Sequence, residues 1–156
     1  TSATTPLWNH ALTASTFTVY ASSSMNATIG QPSASSLACL SCHDGTVALN
    51  SFGGNTGTTF MTGGDKLGTD LSNDHPVSFT YDAALTTADG GLNNPTTKTV
   101  TSLGGKTVDA GMLIAHKVEC ASCHDVHNNK GDAPTGSHLL VVNNAHSALC
   151  LTCHNK

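Results

Sequence analysis

The sequence predicts a mostly irregular (coil) fold, with short helices, a few short β-strands and one β-hairpin, built around something other than a conventional apolar core. Three observations carry this expectation. Only 38% of the 156 residues are apolar and 4% aromatic, which is thin for a chain of this length. The chain holds 23 Thr, 16 Ser, 12 Asn and 15 Gly, and several of these types favour turns over regular structure. All six cysteines fall in three C-x-x-C-H runs: Cys39-Leu-Ser-Cys42-His43, Cys120-Ala-Ser-Cys123-His124 and Cys150-Leu-Thr-Cys153-His154.

A C-x-x-C-H run is an attachment site for haem c. The two thiols add across the porphyrin vinyl groups, and the histidine that follows ligates iron from below. A lone C-x-x-C would equally suit a zinc half-site or a redox dithiol. Three complete runs with no cysteine left over favour three covalently attached haems c. Cys39, Cys42, Cys120, Cys123, Cys150 and Cys153 are then the haem-binding residues, and His43, His124 and His154 the proximal iron ligands. The fold is accordingly expected to be organised around its haems and to depend on them, as small metal-bound domains depend on their metal.

The elements follow in order. Residues 1–36 are Ser/Thr-rich, with anchors Leu7, Trp8, Phe17, Val19 and Tyr20, and read as extended chain packed on a haem face. Ser36 to His43 forms a helical turn carrying the first motif. Gly53 to Gly68 reads as loop. Val77-Ser-Phe79-Thr-Tyr81 alternates apolar and polar, a short strand signal. Lys98 to Asp109, folded about Gly104-Gly105, is a hairpin. Ala145 to Cys153 forms a last short helix. Between the first and second motifs lie 77 residues (43–119), but only 26 (124–149) separate the second from the third. The second and third haems are therefore expected to pair closely. The expected organisation is one domain, 1–156, with a first-haem lobe over about 1–72, a β-rich insert over about 73–112 and a paired-haem lobe over about 113–156.

Charged residues make up only 10%, with six Lys, no Arg and ten acids, for a net charge of −4. A nucleic-acid partner would need a basic face, which such a balance excludes. A neutral, hydrogen-bonding surface suits an extracytoplasmic protein that packs against copies of itself. No apolar run approaches the ~18 residues of a membrane span. No signal peptide is visible at Thr1, and haem c is attached outside the cytoplasmic membrane, so the chain reads as mature and exported.

Nine histidines are present, leaving six beyond the proximal ligands. This abundance points to bis-histidine ligation. The two axial ligands of one iron lie on opposite ring faces, so His127, three residues past His124, cannot easily serve the haem beside it. It is expected to ligate another, which makes residues 120–127 a joint between two haems. His116, four residues before Cys120, is similarly restricted and reads as a bystander. His75 precedes Pro76, which stiffens the backbone, and reads as a distal ligand. His10 follows Trp8 and reads the same way. His138 and His146 rank lower, and Met25, which as a thioether ligand would raise its haem's potential, lower still.

These stretches together resemble the bacterial multihaem cytochromes of the doubled C-x-x-C-H family, common in metal-reducing bacteria. The resemblance rests on Thr5-Pro-Leu-Trp-Asn-His10, Cys39 to Gly45, Asn73-Asp-His-Pro-Val-Ser-Phe79, Cys120 to His127 and Ser147 to His154, and touches nearly the whole chain. It implies that His127 ligates the next haem and that His10 and His75 take distal roles. Relatives often carry a further motif just before the Thr-Pro-Leu-Trp stretch. This chain is thus either a three-haem variant or lacks an N-terminal haem segment. Some members polymerise into extracellular filaments (nanowires) in which one subunit's histidine completes a haem of the next.

The function these readings imply is electron transfer, not enzymatic catalysis. Six-coordinate irons cannot bind substrate, and no Arg is available to clamp an anion. The chain is expected to be either the repeating subunit of an extracellular filament, partnered by copies of itself, or a discrete periplasmic or cell-surface shuttle. Other cytochromes or extracellular acceptors would be its redox partners. A multihaem reductase is the weaker alternative, since it needs an iron with an open position.

Overall fold

Five short helices and three two-stranded ladders make up the regular structure of residues 9–127 and 139–155, which the computed structural model describes. Leu7, Trp8 and His138 lie outside the described residues. The chain divides into two units, Thr1–Ser22 with Ile29–Ser78, and Ser23–Thr28 with Phe79–Lys156. That boundary cuts the expected insert, leaving residues 73–78 with the first motif and placing 79–112 with the other two. Among the described residues no helix is long and apolar enough to cross a membrane.

In the first unit, β1 (Thr18–Val19) precedes α1 (Ala34–His43), and β2 (Asp70–Leu71) follows it. The strands pair in parallel, Thr18 opposite Asp70 and Val19 opposite Leu71. A parallel pair needs a long crossover, and here the crossover carries the helix of the first motif. Phe17, Leu40 and Leu71 form a buried cluster, with Val19 and Leu37 packed against it. With so few apolar residues, hydroxyls complete the packing. Ser41 Oγ accepts from the Thr13 N–H at 3.0 Å and donates to the Leu37 carbonyl at 2.8 Å. Asp44 is almost fully buried, and its Oδ1 accepts from the Thr46 N–H at 2.7 Å and the Thr46 hydroxyl at 2.9 Å. Buried polar groups that find partners in this way cost little.

The second unit begins with β3 (Phe79–Thr80), shorter than the strand expected over 77–81 because Ser78 turns left-handed at φ 62°. Next comes α2 (Ala83–Asp89), which the sequence reading did not anticipate. Its signals are nonetheless present: the Asp82 carboxylate accepts from the Leu85 N–H at the start, and Gly90 stops the helix at φ 71°. The expected hairpin forms, β4 (Thr99–Val100) antiparallel to β5 (Lys106–Thr107), with Gly104 and Gly105 both at positive φ. One turn of helix, α3 (Val108–Gly111), follows, and β6 (Lys117–Val118) returns antiparallel to β3, Phe79 opposite Val118. Phe79, Tyr81, Val100, Val108, Met112, Val118, Val141 and Val142 are buried. From β6 the chain runs through buried Glu119 directly into α4 (Cys120–Cys123), and α5 (Ala148–Cys153) carries the third motif. A separate 3-10 turn, Ala145–Ser147, precedes α5 where one last helix was expected, because His146 and Ser147 are both left-handed.

Candidate haem centres

Each C-x-x-C pair lies on the last turn of a short helix. At i and i+3 the two thiols share one side of the turn, the spacing that two vinyl groups of one porphyrin require. All six cysteines are thiols and not disulfide halves. The second and third motifs end alike. The His124 N–H donates to the Cys120 carbonyl at 3.0 Å and the His154 N–H to the Cys150 carbonyl at 2.8 Å, and both histidines then turn extended. Each joins an isolated bridge, His124 opposite Leu140 and His154 opposite Leu92. In the first motif His43 stays helical.

The His43 ring is oriented by the backbone: Nδ1 lies 2.7 Å from the Asp65 carbonyl. Donation there fixes the tautomer and leaves the lone pair on Nε2, the arrangement found behind metal-bound imidazoles. Among the described residues, four exposed large apolar side chains adjoin the motifs: Leu67, Val126, Leu139 and Leu151. Leu67 donates its N–H to the His43 carbonyl and Leu139 accepts from the Asp125 N–H, so both flank the chain beside a proximal histidine. A porphyrin seated on these turns would cover apolar surface that otherwise faces water. These residues therefore fit the group. Among the described residues no three His, Cys, Asp or Glu side chains are grouped closely enough to hold a metal ion.

The thiols of the second and third motifs lie within electrostatic range of one another. Burial, then Cys120 and Cys150, push the Cys123 thiol up. Burial, then Cys123, push Cys153 up to about 11, against a hydrogen bond from Tyr81. In the first motif burial and then Asp44 raise Cys42.

Two residues to which the sequence reading gave no role at the motifs hold the third motif in place. The Asn93 side-chain amide lies within reach of the Leu151, Thr152 and His154 carbonyls at 3.1, 3.3 and 3.2 Å, and the Asn93 N–H donates to the Cys153 carbonyl at 2.8 Å. The buried Tyr81 hydroxyl reaches the Asn93 and Cys153 carbonyls. The Asn-Asn-Pro run at 93–95 was the available signal, since such runs mark a chain held in a defined turn.

The remaining histidines fall as follows. His10 is buried, with Nδ1 2.7 Å from the Ala11 carbonyl, Nε2 2.9 Å from the Ala48 carbonyl and Cys42 Sγ 3.8 Å away, and its ring meets Phe52 edge-on. It therefore sits at the first motif, but ligation through Nε2 must displace the Ala48 contact. His75 is exposed, with Nδ1 2.9 Å from the Pro76 carbonyl. His127 is exposed in a turn whose backbone N–H donates to Asp125 Oδ1 at 3.1 Å. His116, read as a bystander, stands exposed with Nδ1 2.7 Å from Asp109 Oδ1. His10, His43 and His75 belong to the first unit, and His116, His124, His127, His146 and His154 to the second. No protein-family model matches the chain, and no curated protein matches it.

Proposed function

We propose that this chain is an electron-transfer protein carrying three covalent haems c, one on the first unit and two on the second. The observation that carries the reading is the repeated geometry of six thiols in i, i+3 pairs on terminal helical turns, each pair followed by a histidine. Covalent haem supplies the one-electron chemistry. The protein's part is to fix each ring, set its ligands and dryness, and hold the second and third motifs side by side. The short spacing of the second and third motifs, with Cys123, Cys150 and Cys153 within electrostatic range, supports a close pair within the second unit.

A pyridine haemochrome assay on the purified, exported chain tests this. The expected value is three haems per chain; zero haem sinks the reading and returns the cysteines to zinc or disulfide chemistry. A surface with a net charge of −4 and 10% charged residues also supports self-association into an extracellular filament. Electron microscopy separates the filament from a discrete periplasmic or surface shuttle: continuous fibres support the first, dispersed particles the second. EPR addresses the reductase alternative, which requires a substantial high-spin signal from an open iron.

A further inference from the structure

Counted by itself, the second unit carries two proximal histidines, His124 and His154, and two irons with distal ligands to find. Only His127 is assigned to that task in this unit, while the first unit offers both His10 and His75 to a single motif. Besides His127 the unit holds His116, His138 and His146, of which His138 lies outside the described residues. The structure singles out a histidine that the sequence passed over.

His116 occupies the tip of a two-residue hairpin. The Ile114 and Lys117 backbones exchange hydrogen bonds at 3.0 and 3.1 Å, and the residues between them, Ala115 and His116, lie at φ 50° and 63°. Positive φ at both central positions defines a type I′ turn, which strongly prefers Asn-Gly. Ala-His is a costly pair to place there, and strain of this kind is retained where a side chain is needed in one orientation. That side chain is aimed. Its Nδ1 is 2.7 Å from Asp109 Oδ1, while 72% of the side chain is exposed. A carboxylate on Nδ1 fixes the tautomer and presents the Nε2 lone pair outward, as in carboxylate–histidine–metal triads. His43 is oriented in the same way by a carbonyl.

Tyr81 measures the distance to the third motif. Its backbone N–H donates to the His116 carbonyl at 2.9 Å, and its hydroxyl donates to the Cys153 carbonyl at 3.2 Å. The His116 and Cys153 backbones thus stand one tyrosine apart. The haem of Cys120 and Cys123 is too near in sequence for His116 to reach its far face.

We propose that His116, held by Asp109, is a distal ligand for the iron of the haem on Cys150 and Cys153. This rests on the electron-transfer reading. The Nδ1 proton stays hydrogen-bonded to Asp109, and the Nε2 lone pair fills the sixth position on iron, with no proton released.

The test uses the holoprotein with His116→Asn. Asparagine suits the left-handed turn and retains a donor toward Asp109, but does not replace imidazole on iron. Three haems per chain should persist by pyridine haemochrome. About one third of the haem should convert from low to high spin by EPR, and added imidazole should restore it. Retention of three haems, all low-spin, overturns the assignment of His116 and leaves the electron-transfer reading intact; absence of haem from the unsubstituted protein overturns the latter. Asp109→Asn gives an independent readout should His116→Asn fail to fold. Loss of the carboxylate should raise the reduction potential of one haem of three, whereas a surface ion pair of no other consequence would leave all three potentials unmoved. A second arm dilutes the unsubstituted protein to monomer: persistence of the low-spin signal supports ligation within one chain, and its loss overturns it in favour of ligation from another copy.

Discussion

The Tyr81 hydroxyl is shared between the Asn93 carbonyl at 2.5 Å and the Cys153 carbonyl at 3.2 Å, so a buried phenol from the middle of the chain braces the backbone of the third C-x-x-C-H motif. Burial first, then the neighbouring Cys153 and Asp89, push this phenol above its ordinary 10.0. A raised pKa means that the folded state favours the protonated form. The stabilisation is fully present below pH ~10 and is lost as pH rises toward the folded value. With haem attached as proposed, the Cys153 contribution would disappear, but burial would remain. Tyr81→Phe should cost about 1–2 kcal/mol at neutral pH by denaturant titration and should remove part of the alkaline loss of stability. Equal alkaline profiles for the two proteins would show that Tyr81 is not the group responsible.

Asn93→Ala should release the carbonyls at the end of α5. Loss of the amide's contacts to Leu151, Thr152 and His154 predicts destabilisation of about 1–3 kcal/mol. Amide hydrogen exchange should quicken in residues 150–155 and leave α1 unchanged, which local exchange measurements report directly.

His10→Ala removes a buried ring packed on Phe52 and contacting two carbonyls. The expected cost is about 2–4 kcal/mol from the cavity and the unpaired carbonyls. On the distal reading, a high-spin signal from the first haem accompanies it. A low-spin spectrum in the variant would give that role to His75.

Gly57 is required by space. A Cβ there would stand 2.7 Å from the Asn50 backbone carbonyl carbon, beside the side-chain oxygen that accepts from the Thr58 and Thr59 N–H groups. Gly57→Ala should cost about 1–3 kcal/mol through forced displacement of backbone. Gly54→Ala serves as a control for crowding: it meets no atom within 4 Å, and only its positive φ resists substitution.

On the proposed reading, replacing Cys150 and Cys153 together by serine removes the third haem's covalent anchors. Two haems per chain should remain by pyridine haemochrome. Exposed Leu151 should then lie open to water and increase binding of an apolar dye.

What the sequence by itself determined is whatever depends on neighbours a few residues apart. The pairing of Cys39 with Cys42, Cys120 with Cys123 and Cys150 with Cys153 is set by i, i+3 spacing. The hairpin about Gly104-Gly105 is set by two residues that tolerate positive φ. The helix α2 could have been found the same way, from Asp82 and Gly90. Tertiary structure alone decided which distant groups meet. It seated His10 beside Cys42, placed Asn93 and Tyr81 on the third motif, set Cys123 near Cys150 and Cys153, and turned His116 onto Asp109. The physical reason is range. Covalent attachment needs only local spacing, whereas the orientation of an imidazole depends on acceptors brought to it by chain segments far away in sequence. His116 shows the difference most sharply: its sequence position argued for a bystander, and a strained turn with a carboxylate behind the ring argues for a ligand.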